Sequence, residues 1–405
     1  MRIGYNCRFL GGPLTGVQRI AQDLFNALVE IDRDNEYVAF LCGRGGRHIA
    51  ALDRPNVTLV GGETPVTGRF RRQAWEQDTL PRLVVRADLD VMHHPANTAP
   101  RRGLGRACVS IYDTSFLAHP EWFNRRFRWY YRWLIPRVAR GAARIITCSE
   151  FSKREIVDRL HAGPGRVDVV YPGVSPVFLA SAEKGTGSLF RDDASHRPDP
   201  PFILFVGGTN PRKNLATLAA AMPLLRDRPG LADVTLKVVG AQPGIFAKRG
   251  TDPVSSKGLA EKGSDPVSSR GLTPFSPREH AGDSGIHYLG DVDETALVSL
   301  YRRAACMCYP SLYEGFGLPP LEALAVGTPV VAADIPVLRE VLADAALFAP
   351  PTDPAALADA LAGVLTDDAL RARLIALGAD RVPRFTYPAA ARRTLEIYEA
   401  VVRNT

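Results

Sequence analysis

Two glutamates bracket a glycine turn and a proline pair in Glu314-Gly-Phe-Gly-Leu-Pro-Pro-Leu-Glu322. The short apolar run Cys306-Met-Cys-Tyr309 before it reads as a buried strand. Pro319 and Pro320 pre-set a helix start, which Leu321-Glu-Ala-Leu324 enters. The segment is therefore predicted to run strand, glycine loop, helix. Free backbone N–H groups and the positive helix end favour an anionic ligand group there. Carboxylates repel phosphate, so Glu314 and Glu322 are expected to accept hydrogen bonds from hydroxyls instead. A ligand that joins phosphate to hydroxyl-rich ends is a nucleotide-sugar. The plainer reading is a strand–helix turn with two solvated glutamates.

Arg212-Lys213 follows another apolar run and precedes a helical pattern that starts at Asn214–Leu215. Two cations there can neutralise a leaving diphosphate; a solvated loop pair is the alternative. His93-His94 closes a strand-like run, and adjacent strand residues point to opposite faces, which argues against a shared metal. Asp88-Leu-Asp90 and Asp291-Val-Asp293 match a bare D-x-D pattern, but each flanks a strand as turn residues do. No essential metal or other cofactor is expected. Cys7, Cys42, Cys108, Cys148, Cys306 and Cys308 form no C-x-x-C pair and sit mostly in apolar runs. Free thiols in a reducing cytoplasm fit that pattern better than disulfides.

A chain of 405 residues exceeds the usual single core, so two domains are expected. Strand-like runs recur at 2–5, 38–42, 57–60, 91–93, 108–111, 145–148 and 167–170. A second set lies at 202–206, 235–239, 287–289, 307–309, 330–332 and 346–348. Helical patterns separate them, for instance at 17–30, 215–225, 295–303 and 355–365. This alternation predicts an α/β fold with a parallel sheet in each half. The stretch 172–201 is rich in Gly, Ser, Asp and Pro and marks the boundary. Residues 247–285 read as a low-complexity insertion, because Thr251-Asp-Pro-Val-Ser-Ser-Lys-Gly-Leu259 nearly repeats as Ser264-Asp-Pro-Val-Ser-Ser-Arg-Gly-Leu272. No apolar run is long enough to span a membrane, and the N-terminus reads directly as a strand rather than a signal peptide.

Glu314 and Glu322, with seven residues between them, resemble the paired-glutamate signature of family 4 retaining glycosyltransferases, bacterial mannosyltransferase-like members among them. Phe205-Val-Gly-Gly-Thr-Asn-Pro-Arg-Lys-Asn-Leu215, Gly327-Thr-Pro-Val-Val331, Ile146-Thr-Cys-Ser-Glu-Phe-Ser-Lys153 and Gly11-Gly-Pro-Leu-Thr-Gly-Val17 are similar to family patterns too. The resemblance implies the GT-B fold, two Rossmann-like domains with parallel sheets facing across a cleft. It places an acceptor-side domain at 1–180 and a nucleotide-sugar domain at 200–385. A final helix at 386–405 would pack back on the first domain.

The resemblance also implies roles. Glu314 would hold sugar hydroxyls, Phe316, Gly317 and Leu318 would supply backbone amides, and Glu322 would hold the ribose. Lys213 and Arg212 would take the diphosphate, beside Gly207. They carry more of that task here because Gly208-Thr209 stands where many relatives have an arginine. Gly12 and Gly16 would close over the donor. Many relatives have His-Asp where this chain has Tyr112-Asp113, so the histidine role does not carry over. Asp113 either orients a sugar or acceptor hydroxyl or caps a turn, and His119 is a substitute six residues on. On this reading Glu314→Ala removes transfer and leaves the fold intact.

The implied reaction moves a hexose, mannose, from a nucleoside-diphosphate sugar such as GDP-mannose to a surface-polysaccharide or lipid-linked glycan. A catalytically silent glycan- or nucleic-acid-binding module and a nucleotide-sugar epimerase or phosphorylase on the same fold are the alternatives. Residues 1–190 carry 27 Lys+Arg against 18 Asp+Glu, net +9, and the remainder is net −2. The segment Trp122-Phe-Asn-Arg-Arg-Phe-Arg-Trp-Tyr-Tyr-Arg-Trp-Leu-Ile135 adds a mixture of arginines and aromatics. It reads as an anionic-membrane contact, a nucleic-acid stacking surface or a core-packed helix with solvated arginines. With no nucleic-acid partner expected, the enzyme would work in the cytoplasm, peripheral to the inner face of the plasma membrane.

Overall fold

The computed structural model describes residues 1–404 apart from 12–14, 44–47, 63–65, 67, 184–199, 209 and 241–284. Gly12 and nearly all of the expected insertion at 247–285 lie outside the described residues.

The first sheet holds β1 (Arg2–Asn6), β2 (Glu36–Leu41), β3 (Val57–Gly61), β4 (Val91–His94), β5 (Ala107–Ser110), β6 (Arg144–Thr147) and β7 (Val167–Val169). The second holds β8 (Phe202–Val206), β9 (Thr235–Val239), β10 (Ile286–Gly290), β11 (Cys306–Tyr309), β12 (Val330–Ala333) and β13 (Ala346–Ala349). Every pairing is parallel. Strand orders are β3-β2-β1-β4-β5-β6-β7 and β10-β9-β8-β11-β12-β13. β8, β11 and β12 are buried along their whole length, as strands covered by helices on both faces must be. Their sequences are continuous apolar runs for that reason.

In each sheet the order reverses once, between β1 and β4 and between β8 and β11. Crevices open at the carboxyl ends of the strands at such reversals, and ligands bind there. Asn6 and His94 end β1 and β4; the loops to Arg212 and Glu314 follow β8 and β11. The GT-B architecture is thus built from two parallel α/β sheets.

The last helix, Tyr387–Arg403, packs on the first sheet rather than the second. Its Ala391, Ile397, Tyr398 and Val401 share a core with Ile3 and Tyr5 of β1 and with Leu24, Phe25 and Leu28 of the helix Gly16–Ile31. Tyr398 Oη lies 2.6 Å from His93 Nδ1, and His93 Nε2 lies 2.9 Å from Ser110 Oγ. His94 faces Asn6 instead, at 3.2 Å. Burial pushes both imidazoles down to about 3, so they are neutral core groups with separate partners. Asp293 caps the helix Glu294–Arg303 by accepting from Ala296 N at 2.8 Å, and Asp90 accepts from Arg2 N at 2.7 Å. Asp293 thus caps a helix, and Asp90 ties its loop to the start of β1.

Candidate active site

Glu314 stands on the loop between β11 and the helix Leu318–Ala325. Gly317 begins that helix with φ 109°, and Pro319 and Pro320 occupy its first turn. A Cβ at Gly317 would also meet Leu338 Cδ2 at 2.8 Å, so glycine satisfies both backbone and space. Phe316 anchors the loop in the core between Tyr171 and Phe385, with ring centroids 6.1 and 5.7 Å away. The loop is fixed before any ligand arrives, and both glutamates are buried, Glu314 at 5 % and Glu322 at 4 % exposure. The solvated-glutamate reading fails on those two figures.

Lys213 and Arg212 come to Glu314 from the loop after β8. Asn214, left-handed at φ 57°, ends the short turn Pro211–Lys213. Its amide donates to the Pro310 and Pro351 carbonyls at 2.9 and 2.6 Å. Leu312 N donates to the Arg212 carbonyl at 2.9 Å, tying the β8 and β11 loops together. Lys213 Nζ then reaches Glu314 Oε1 at 2.7 Å and Tyr309 Oη at 2.5 Å. Its methylenes lie along Gly207, where a Cβ would sit 3.3 Å from them. Arg212 donates to Asp113 Oδ2 at 3.1 Å and lies 3.9 Å from Glu314 Oε2.

Burial works against the Glu314 charge, yet Lys213 and Arg212 outweigh it and hold its carboxyl below the usual range. Burial likewise opposes the Arg212 charge, and Glu314 and Asp113 more than offset it. For Lys213 burial is the larger influence and lowers its pKa against the pull of Glu314. This is a cluster of two cations and two carboxylates drawn from both sheets. A diphosphate could exchange for the carboxylates around the cations with charge conserved.

Asp113 takes the turn-capping place expected of it and meets a cation besides. One oxygen caps a turn, accepting from Ser115 N and Oγ at 3.0 and 2.6 Å, and the other faces Arg212. Tyr112 donates its hydroxyl to the Pro95 carbonyl at 2.8 Å and is buried, so it takes no histidine-like part. His119 stacks on Trp122 at 3.9 Å and meets the edge of Tyr313, the neighbour of Glu314, at 5.6 Å. Gly16 opens the helix Gly16–Ile31, and a Cβ there would meet nothing within 4 Å. Packing among the described residues does not explain that glycine.

Glu322 is placed apart from the cluster, by different partners. Arg19 Nη1 approaches Oε1 at 3.2 Å and Tyr301 donates to Oε2 at 3.1 Å. Burial raises its carboxyl and Arg19 works the other way. Arg19 also lies 3.4 Å from Glu294. Sequence reasoning missed Arg19, Tyr301 and Tyr309. The signals were there: Arg19 lies one turn after Gly16, and Tyr309 is the last residue of β11. Among the described residues no group of three or more His, Cys, Asp or Glu is placed to hold a metal ion.

Residues 14–178 match the family described as Glycosyltransferase Family 4, and residues 200–367 match Glycosyl transferases group 1. The phosphatidyl-myo-inositol mannosyltransferase of Mycolicibacterium smegmatis is 27 % identical over 99 % of this chain and 94 % of its own. The O-antigen chain mannosyltransferase B of Escherichia coli is 27 % identical over 81 % of this chain and 77 % of its own. Among solved structures, sucrose-phosphate synthase of Thermosynechococcus elongatus superposes with a TM-score of 0.66 at 18 % identity, covering both chains fully. The chain belongs to the family 4 (group 1) glycosyltransferases with the GT-B fold. It is a retaining hexosyltransferase that takes sugar from a nucleotide-sugar donor.

Proposed function

We propose that this enzyme transfers mannose from GDP-mannose to a hydroxyl of a lipid-linked or surface-polysaccharide glycan. The observation that carries the reading is the buried cluster of Lys213, Arg212, Glu314 and Asp113, which joins the carboxyl ends of both sheets. Two of the relatives are mannosyltransferases, one named for a phosphatidylinositol and one for an O-antigen chain, which supports the sugar and the acceptor class.

In this reading the diphosphate lies against Lys213 and Arg212, and its negative charge is stabilised as it grows. Glu314 accepts hydrogen bonds from the sugar, the amides of Phe316, Gly317 and Leu318 receive a phosphate, and Glu322 accepts from the ribose. Gly16 and Gly207 give the donor room to approach the backbone. Asp113 orients the acceptor hydroxyl. The bond from C1 to the diphosphate oxygen breaks with its electron pair going to the diphosphate. The acceptor oxygen bonds to C1 on the same face, and its proton passes to the departing diphosphate. A panel of nucleoside-diphosphate hexoses tests the donor: GDP-mannose should be turned over best, and preference for another base or sugar would overturn that assignment.

The acceptor class brings a surface with it. The helix Arg125–Gly141 buries Phe127, Leu134, Ile135 and Val138 in the first core. Its other side presents Arg125, Arg128, Trp129, Arg132, Trp133 and Arg137 around an open groove of about 560 Å³. Trp129 is 69 % exposed, and the two indoles lie parallel at 6.4 Å. A helix with a packed face and an arginine–tryptophan face suits an anionic lipid surface, and the charge of residues 1–190 agrees. No helix among the described residues is long and apolar enough to cross a membrane. In this reading the enzyme works in the cytoplasm, peripheral to the inner leaflet of the plasma membrane.

Binding to vesicles should rise with anionic lipid and fall with salt, since screening acts within about 10 Å at 0.1 M. Replacing Arg125, Arg126, Arg128 and Arg132 by Gln should weaken it by about 1 kcal/mol per side chain in contact and leave donor hydrolysis unchanged. Co-sedimentation that is indifferent to the four changes would reduce this helix to a packing element.

A further inference from the structure

The segment Ile146-Thr-Cys-Ser-Glu-Phe-Ser-Lys153 contributes to the family resemblance and has so far no role. In the fold it lies where the two halves of the molecule meet. Ser149 caps the helix Glu150–Leu160, accepting from Ser152 N at 3.0 Å, and its hydroxyl donates to the Gly315 carbonyl at 2.7 Å. Ser152 Oγ lies 3.0 Å from the same carbonyl and 2.9 Å from that of Tyr112. Both serines are fully buried. Gly315 follows Glu314 and Tyr112 precedes Asp113. A Cβ at Gly315 would fall 2.5 Å from the Tyr112 oxygen, so the two backbones are in contact.

A second tie lies on the same helix. Glu340, from the helix Pro336–Leu342 of the second half, accepts from Glu150 N at 2.7 Å and Phe151 N at 2.9 Å. Tyr171 donates to it at 3.0 Å. A carboxylate of one half thus occupies the positive end of a helix in the other. These bonds fix the backbone beside Glu314 and Asp113 without engaging Lys213 or Arg212 directly.

We propose that Ser149, Ser152 and Glu340 are positioning residues: a latch between the halves that sets the spacing of the Asp113 and Glu314 sides of the cleft, and so aligns acceptor with donor. The inference rests on the assignment of Glu314 to the donor and Asp113 to the acceptor. Lys213, Arg212, Glu314 and Glu322 all belong to the second half, and the first-half groups beside the donor, Gly16 and Arg19, lie on a different helix from the latch, so donor binding needs little from it. Transfer to a bound acceptor needs both halves in register, because a displacement of about 1 Å at the reacting centre costs on the order of a hundredfold in rate. Water attacking the donor requires no such register.

The test compares transfer, acceptor-independent donor hydrolysis, nucleoside-diphosphate affinity and thermal melting in Glu340→Ala, Ser149→Ala and Ser149→Thr. Glu340→Ala and Ser149→Ala should lower kcat for transfer by about tenfold or more, with hydrolysis and diphosphate affinity within about twofold of wild type. Ser149→Thr, which keeps the hydroxyl, should retain transfer. Should Glu340→Ala not fold, Glu340→Gln keeps one carbonyl oxygen for the helix end and should show the same selective loss at smaller amplitude. Equal losses of transfer, hydrolysis and affinity would reduce the latch to a fold-holding contact and overturn the proposal, as would wild-type transfer. Glu314→Gln serves as the separate control: wild-type transfer there removes the donor assignment, however the latch variants behave.

Discussion

Glu314→Gln should lower transfer by about a hundredfold or more, the range seen when one buried electrostatic partner of a reacting group is lost. The amide keeps the shape but not the charge that organises Lys213 at 2.7 Å and faces Arg212 at 3.9 Å. Glu314→Ala should be worse in a second way. The sequence alone suggested that it would spare the fold, but Lys213 is only 8 % exposed and Glu314 is its carboxylate partner. Removing one member of a buried pair costs about 3–5 kcal/mol. The alanine variant should therefore melt earlier, and nucleoside diphosphate should restore much of the loss by supplying the missing anion. The pH dependence has a definite sign. The Glu314 pKa is held below its ordinary value, so its contribution to stability is complete above the ordinary carboxylate range. It is lost as pH falls through the depressed folded value. Turnover near wild type in Glu314→Gln would take Glu314 out of the site.

Lys213→Ala should cost nucleoside-diphosphate binding about 1.5–3 kcal/mol, roughly 10- to 150-fold, while nucleoside binding stays nearly unchanged. The side chain is held between Tyr309 Oη, Glu314 and the backbone at Gly207, with no freedom to follow a ligand elsewhere. Calorimetry with both ligands decides the point. Equal losses for the two would show that Lys213 does not touch phosphate.

Much of this was legible in the sequence because α/β proteins write buried strands as apolar runs. Phe202–Val206 and Val330–Ala333 have no polar alternation to confuse the reading, and the strands begin or end within a residue or two of the runs read from sequence. Glu314 and Arg212-Lys213 stood out because charged residues follow such runs on short Gly- and Pro-containing loops that lead into helices. The partners of those residues did not stand out. Asp113 meets Arg212 across 99 residues and Arg19 meets Glu322 across 303, pairings set by how two sheets face each other. No local pattern encodes that distance. Ser149, Ser152 and Glu340 were hidden for the same reason: a capping serine looks alike whether its hydroxyl faces water or a carbonyl of the other half. The segment 122–135 was ambiguous because a helix that packs on one side and binds on the other mixes both signals, as Phe127 and Trp129 do two residues apart.

The most direct measurement is nucleoside-diphosphate release from GDP-mannose with and without a lipid-linked glycan acceptor, in the wild-type enzyme and in Glu314→Gln. Release that depends on acceptor, forms a mannosylated product with retained anomeric configuration, and collapses in the variant is the predicted result. Release that ignores the acceptor, or that persists undiminished in Glu314→Gln, would contradict transfer at this site.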